Sequence, residues 1–512
     1  MDEKKKMMGS RERKGVITVY LTITFAVLMS LFVSAYEAAR ISAYRVMLEC
    51  AFQSAAFSAF GEYHKELNEQ YDLFFIDLSY MTDSPSFENL SARVEDEMNA
   101  NLGVPETRLL FARSFFGEGF ANVRLTDARM ASDLLGSVLE KQAVEYVKEN
   151  SFAGVAEDLV SLVRITEQYE LSEEAFEKKR EEIKKLEEEP ENRERKEKED
   201  FKTKTLSEIG FEYNFVNALD VLILKMDTFE VSGRFLNPLD IPSLRSSVLE
   251  CDAGNFEEIS YDPLQDAYCT EYAVRKCGNY ARPKENSFLT YEAEYVFAGL
   301  PNDSKNLSVT IRCLFYLRTA AGYASLKQDK DKRQAVENVA AGISALTEIP
   351  QKACEEIIYL LWAGGEATYD VRDLLNGEKV SLIKDADDFH LSLEGGLKNL
   401  LSVGTGQIEN ALEDKSRKTG PEETFLGSLT DKEGGIGPDI KLSYEDYLRL
   451  LILQTPRQLR NLRMLDVIET DIRQTEGNEY FRIDFCLDAA VFDIHATGGF
   501  GIAYEMKRQY FY

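Results

Sequence analysis

The side chains from which a catalytic or metal centre would be assembled are three histidines, seven cysteines and 89 acidic residues. His64, His390 and His495 each stand without a His or Cys at ligand spacing, so zinc sites of the HExxH or CxxC type are missing. Each reads as a surface residue or a hydrogen-bonded core residue. Asp329 and Asp331 open like a calcium loop, but KRQAVENVAAG follows without the required glycine and closing glutamate. Adjacent carboxylates such as Asp387 and Asp388 are what so many acids produce by chance, and they do not argue for acid–base hydrolysis. The glycine clusters Gly404-Thr405-Gly406, Gly434-Gly435-Ile436-Gly437 and Gly498-Gly499-Phe500-Gly501 lack the Lys-Ser/Thr of a phosphate loop and read as turns. No GxSxG elbow occurs. The sequence therefore offers no catalytic residue, no cofactor-binding residue, no metal ligand and no evident small-molecule substrate, and a non-enzymatic role is expected.

Cys50, Cys251, Cys269, Cys277, Cys313, Cys354 and Cys486 are odd in number and scattered. On one helix Cys269 and Cys277 would lie about 12 Å apart along the axis, beyond the roughly 7 Å between bridgeable Cα atoms. A disulfide framework is not expected, and most of these thiols read as small buried apolar groups.

The element that places everything else is near the N-terminus. Val16 to Tyr36, including Tyr20, Leu28 and Phe32, is an uncharged apolar run. At about 1.5 Å per residue it spans roughly 30 Å, the thickness of a bilayer core. Ahead of it, residues 1–15 carry six cations against three acids, so the positive-inside bias keeps this basic tail cytoplasmic and exports the remainder. The expected location is the cell membrane, single-pass. Val33-Ser34-Ala35 also suits a signal peptidase, but the apolar run exceeds the roughly 7–15 residues of a signal core.

Beyond the anchor, residues 37–70 hold no proline and only Gly61, which predicts one continuous helix, the membrane span extending into a stem. Ala35, Ala39 and Ala43, then Ala51, Ala55 and Ala59, recur every four residues along it as a packing stripe of small side chains. Two partners suit it: this chain's own globular part, or another anchored helix. Glu37 and Arg40, three apart, can pair at the membrane exit.

The predicted fold class is α+β, mostly α. Residues 37–170 read as the stem and a first exported α+β domain: a buried strand over Tyr71–Leu78, an acidic helix over Ser86–Asn101, a strand over Val123–Arg129 and a helical stretch over Ala131–Gln168. Within 171–205, the stretch Glu173–Lys204 holds 13 acids and 11 bases and reads as a charged helical arm or linker. Residues 206–512 read as mainly helical, with patterns over Phe211–Met226, Asp266–Ala281, Phe288–Gly299, Leu307–Gln328, Arg333–Leu346, Lys352–Leu375 and Tyr444–Thr470. Strands over Tyr480–His495 and Ile502–Tyr512 end the chain in a small antiparallel sheet. Net charge is −29, and since residues 1–15 contribute +3, the exported part carries −32. Such a surface excludes nucleic acid as a partner.

Several stretches resemble an uncharacterised family of membrane-anchored bacterial proteins, found mainly in Gram-positive anaerobes: KGVITVYLTITFAVLMSLFVSAYEAAR at the anchor, EQYDLFFID after the stem, LTYEAEYVFAG at 289–299, LLWAGGEATYDVRDLLNGEKVSLIKDADDF at 360–389, LSYEDYLRLLIL at 442–453, and RMLDVIETDIR with FRIDFCLD near the end. At its N-terminus that family is similar to TadE/TadG-like pseudopilins, with genes in clusters for Tad/Flp pili and type II secretion-like machinery. The resemblance implies a domain of unknown function on a pseudopilin-like anchor, with pilus or secretion-assembly proteins as partners. A tethered surface adhesin or receptor is the alternative. Pilins are cut after a glycine and carry Glu at the fifth mature position; here Gly15 precedes Val16, but Tyr20 stands where Glu would be. The resemblance thus implies a tethered component more than a filament subunit.

Overall fold

The structure is a computed structural model; it describes residues 2–102, 119–169, 232–243, 263–393, 440–498 and 502–512, save isolated positions within them. The charged arm, the Phe211–Met226 helix, Cys251, Asp387 and the glycine clusters at 404–406 and 434–437 lie outside the described residues.

A single 59-residue helix, α1 (Asp2–Phe60), opens the chain. The bare apolar run and the stem are one rod, as the lack of proline predicts, but the stem ends at Phe60 and not near residue 70: Gly61 follows in a turn, and a separate helix capped by His64 begins at Lys65. After it come α2 (Lys65–Tyr71), β1 (Ile76–Asp77), α3 (Phe87–Leu102), β2 (Phe120–Met130), α4 (Asp133–Glu149) and α5 (Ala153–Gln168). Then follow α6 (Pro263–Lys276), α7 (Glu292–Ala298), α8 (Asp303–Gln328), α9 (Lys330–Thr347), α10 (Gln351–Leu375), β3 (Val380–Ser381) and β4 (Lys441–Leu442). Last are α11 (Tyr444–Gln454), α12 (Arg457–Ile472), β5 (Cys486–Gly498) and β6 (Ile502–Phe511). The architecture is mostly helical with small antiparallel sheets, the α+β class expected.

Three further boundaries differ from the sequence patterns. The Tyr71–Leu78 run supplies only the two-residue strand β1, because α2 runs to Tyr71 and Asp72 caps it in the left-handed region at φ 52°. The Ala131–Gln168 stretch is two helices. The Tyr444–Thr470 pattern is also two, since Pro456 cannot continue α11 and holds Thr455 extended.

The C-terminal strands do not form a sheet of their own. β5 is central: it pairs antiparallel with β2 along one edge and with β6 and β1 along the other. β2 alternates, burying Ala121, Val123 and Leu125, and the register sets these against Ala496, Ile494 and Phe492 of β5. Period-two burial thus puts one apolar face on each strand, and that face lies under the stem and α3. Beyond the sheet, α4 to α8 and α10 to α12 share a second, larger core. A buried pair joins the two regions: Arg129 Nε donates to Asp488 Oδ2 at 2.8 Å, and Gln142 Nε2 donates to Asp488 Oδ1 at 3.0 Å.

Candidate functional site

The stem divides the anchor residues into two environments. Val16, Tyr20, Leu28, Phe32 and Tyr36 are all exposed, at 45 to 70 %. A helix of this length and hydropathy is long and apolar enough to cross a membrane, and its most apolar window is not buried at all. Leaving five such side chains in water costs about 1.5–3 kcal/mol each relative to an apolar surrounding.

Farther along, the same helix is docked. Tyr44, Leu48, Ala51, Phe52, Ala55, Ala56, Ala59 and Phe60 are buried. Phe52 meets Phe492 of β5 edge-on at 5.7 Å between ring centroids, and Phe60 meets Tyr510 at 4.7 Å. Gly498 lies directly under the Tyr44 ring, where a Cβ would come within 2.8 Å of Tyr44 Cζ, so glycine is what lets the ring lie flat on the strand end. Arg508 of β6 pairs with Glu49, its Nε donating at 2.9 Å. The predicted Glu37–Arg40 pair forms at 2.9 Å. The alanine stripe accordingly splits: Ala51, Ala55 and Ala59 are buried in this chain's own core with α3 and the sheet, whereas Ala35 and Ala39 are exposed and Ala43 is half-buried.

The structure also assembles charged residues that sequence spacing did not single out. On α10, Glu366, Asp370 and Asp373 lie at i, i+4 and i+7, one face of the helix. Lys384, 1 % exposed, reaches into that face, with Nζ 2.8 Å from Glu366 Oε2 and 2.6 Å from Asp370 Oδ1. Arg318 of α8 donates from Nε to Asp370 Oδ2 at 2.9 Å and from Nη1 to the Leu382 carbonyl at 2.9 Å and Tyr447 Oη at 2.8 Å. His390 lies at the rim, Nε2 3.1 Å from Asp373 Oδ2 and Nδ1 3.4 Å from Glu366 Oε2, stacked on Tyr369. Hydrogen bonds to Asp373 and Glu366 push the His390 imidazole up to about 9, so it is cationic at neutral pH. The Glu366 and Asp373 carboxyls are held below their ordinary range: burial opposes this, but His390 and the neighbouring Lys384 and Arg372 outweigh it.

Ligand atoms of Glu366, Asp370 and His390 lie within 4.8 Å of one another, close enough for one ion to bridge. The cation held by these carboxylates is nonetheless the Lys384 ammonium, and a divalent ion there would have to displace it. The arrangement is a charge-balanced clasp that ties the segment 380–391 across α8 and α10. His64 and His495 stay apart from it: His64 is buried, its Nδ1 accepting from Leu67 N at the start of α2 and its Nε2 3.0 Å from Asn478 Oδ1, and His495 is exposed on β5. Asp329 caps α9, its Oδ1 accepting from Asp331 N at 2.9 Å and Lys332 N at 3.1 Å, which accounts for the acids that resemble a calcium loop.

Other buried acids pin an irregular stretch, 277–291. Glu292 accepts from Gly278 N at 2.7 Å, Glu294 from Tyr280 N at 2.9 Å and Tyr444 Oη at 2.6 Å, and Asp471 from Tyr71 Oη, Lys284 Nζ and Phe288 N. Burial pushes the Glu294 carboxyl up to about 7 and, joined by the Asp471 charge, raises Glu292 well above its ordinary value. No two of the described cysteines are joined as a disulfide; Cys50 is exposed and the other five are buried. An open groove of about 270 Å³ lies between Phe235, Ile241, Pro242, Phe288 and Arg473.

No curated protein and no solved structure matches this chain. The profile of a family of unknown function, DUF5702, matches residues 195–498, more than half of the 512 residues and including the clasp and all of β5. The chain belongs to the family of unknown function DUF5702.

Proposed function

We propose that this protein is a membrane-anchored, non-enzymatic component of a Tad/Flp-type pilus or type II secretion-like envelope assembly, pseudopilin-like at its N-terminus. In this reading the basic tail is cytoplasmic and everything past Tyr36 is outside the cell membrane. The observation that carries it is the division of α1: a bare apolar half of bilayer length, then a half laid across an antiparallel sheet built from both ends of the chain. A rod rigidly fixed to a folded head, with its free half in the bilayer, holds that head at a set height above the membrane, as a structural subunit requires. The charged side chains brought together on α10 support the non-enzymatic part, because Lys384 and Arg318 neutralise Glu366 and Asp370 and Arg318 ties them to the backbone, a role in holding the fold.

The test is chemical cross-linking in native membranes followed by affinity purification of the full chain. Adducts with the pilus or secretion proteins encoded beside it are expected. Recovery as an isolated monomer, with surface attachment to a ligand lost on deleting the head, would favour the tethered adhesin or receptor instead; the groove beside Phe235 is the feature that would serve it.

A further inference from the structure

The stem has a second face, opposite the one buried on the sheet. At 100° per residue, Ala39, Ser42, Val46, Cys50, Gln53 and Phe57 fall on one line, spaced three or four apart. All six are exposed, Val46 to 63 % and Phe57 to 73 %. None is charged, in a chain where 29 % of residues are. Of the stem's four charges, Glu37, Arg40 and Arg45 lie off this line and Glu49 borders it, and all four are engaged within the chain: Glu37 with Arg40, Arg45 over the Tyr504 ring, Glu49 with Arg508.

We propose that this face is a parallel, in-register contact with a second copy of the same chain. The inference rests on the anchored reading above. Three observations select a second copy. Anchors in one bilayer with the same polarity hold two stems parallel and at equal height, so each seam residue meets its own counterpart. Gln53, amid the seam, carries both donor and acceptor on one amide and so complements itself, and a polar group at such a position fixes register. Electrostatics narrows the choice further: the chain beyond the tail carries −32, which drives copies apart over most of their surface, but residues 37–60 hold two acids and two bases and are neutral. The stem is where two such molecules can approach without repulsion, and Ala39, Ser42 and Cys50 are small enough to let the backbones come close. The heads do not collide, because Tyr44, Leu48, Ala51 and Ala55 turn the sheet to the opposite side of α1.

Cys50 is a built-in probe. In native membranes holding the full chain, oxidation of two Cys50 thiols by copper phenanthroline, with oxygen as electron acceptor, should give a disulfide-linked species at twice the 58.2 kDa mass, and Cys50→Ser should abolish it. In the Cys50→Ser background, Val46→Cys and Phe57→Cys should restore the species and Ser58→Cys, off the line, should not. Val46→Glu, at an exposed position, should abolish dimer formation while leaving the urea midpoint unchanged. Failure of every seam cysteine, or equal linkage at Ser58→Cys, overturns the proposal. Seam cysteines that join the chain to a different protein overturn the self-contact but leave the assembly reading intact. A chain that forms no adduct even with an amine-reactive cross-linker defeats both.

Discussion

Replacing Lys384 by methionine tests the clasp and has a magnitude that follows from its geometry. The ammonium is 1 % exposed and lies 2.8 and 2.6 Å from two carboxylates that are 0 and 1 % exposed. Methionine keeps the apolar stem and removes the charge. Stranding a charge in a buried pair costs about 3–5 kcal/mol. Arg318 still pairs with Asp370, and His390, cationic up to about 9, still faces Glu366, so the lower end, about 3 kcal/mol, is expected. With a urea slope of about 1–3 kcal/mol/M, the midpoint falls by roughly 1–3 M. The assay is intrinsic fluorescence, because the chain has one tryptophan, Trp362, on α10, whose Nε1 donates to the Leu391 carbonyl at 3.0 Å beside the clasp. Adding Glu366→Gln should recover part of the loss. A midpoint within about 0.2 M of the parent would refute the ammonium as their counter-ion.

Phe52→Ala removes a fully enclosed ring from the stem–sheet contact and should cost about 3–5 kcal/mol, read by urea unfolding of the sheet region, whereas Val46→Ala on the open face should stay within about 0.5 kcal/mol. Similar losses for both would mean that the stem is not docked as described. The buried acids predict weakening as pH rises. Glu294 and Glu469 are pushed by burial from an ordinary 4.5 up to about 7, so their contribution is full below about 4.5 and is lost as pH climbs through about 7. Glu366 and Asp373, held low, act oppositely and give stability that is lost on acidification. Urea midpoints should therefore be highest near pH 4.5 and fall towards pH 7, and Glu294→Gln should flatten that fall; midpoints that climb steadily from pH 4.5 to 7 would contradict this. His390 should titrate by NMR near 9 in the folded chain and return toward 6.5 when Asp373 becomes Asn.

Local periodicity makes much of the fold legible. The continuity of α1 follows from the absence of proline, β2 and β5 from alternation, and β6 from a glycine turn before an aromatic run. What periodicity does not carry is pairing across the chain: nothing in Val123 or Leu125 names Ile494 and Phe492 as neighbours, more than 360 residues away. Pro456 within Tyr444–Thr470 was a readable break, since proline ends a helix and holds the preceding residue extended. The clasp was hidden because its parts lie on α8, α10, the segment after β3 and α11, and a charged residue in sequence reads as surface. A readable signal did exist: three acids at i, i+4 and i+7 beside LLWAGG put carboxylates on a helix too apolar to be solvated all round. His390 stands alone at ligand spacing, so only the folded chain places it beside Glu366 and Asp373. The alanine stripe had two possible partners, and burial assigns its far half, Ala51, Ala55 and Ala59, to this chain's own folded part, with α3 and the sheet.

The central claim is that α1 crosses the membrane with the head outside the cell. Protease shaving of intact cells, with an epitope at each end of the full chain and mass spectrometry of what remains, tests it directly. The account predicts that the C-terminal epitope is destroyed, that peptides beyond Glu37 are released, and that a membrane-bound remnant containing Val16–Tyr36 survives with the N-terminal epitope shielded until the cells are opened. A C-terminal epitope protected in intact cells, or a chain extracted from the membrane by alkaline carbonate, would contradict it.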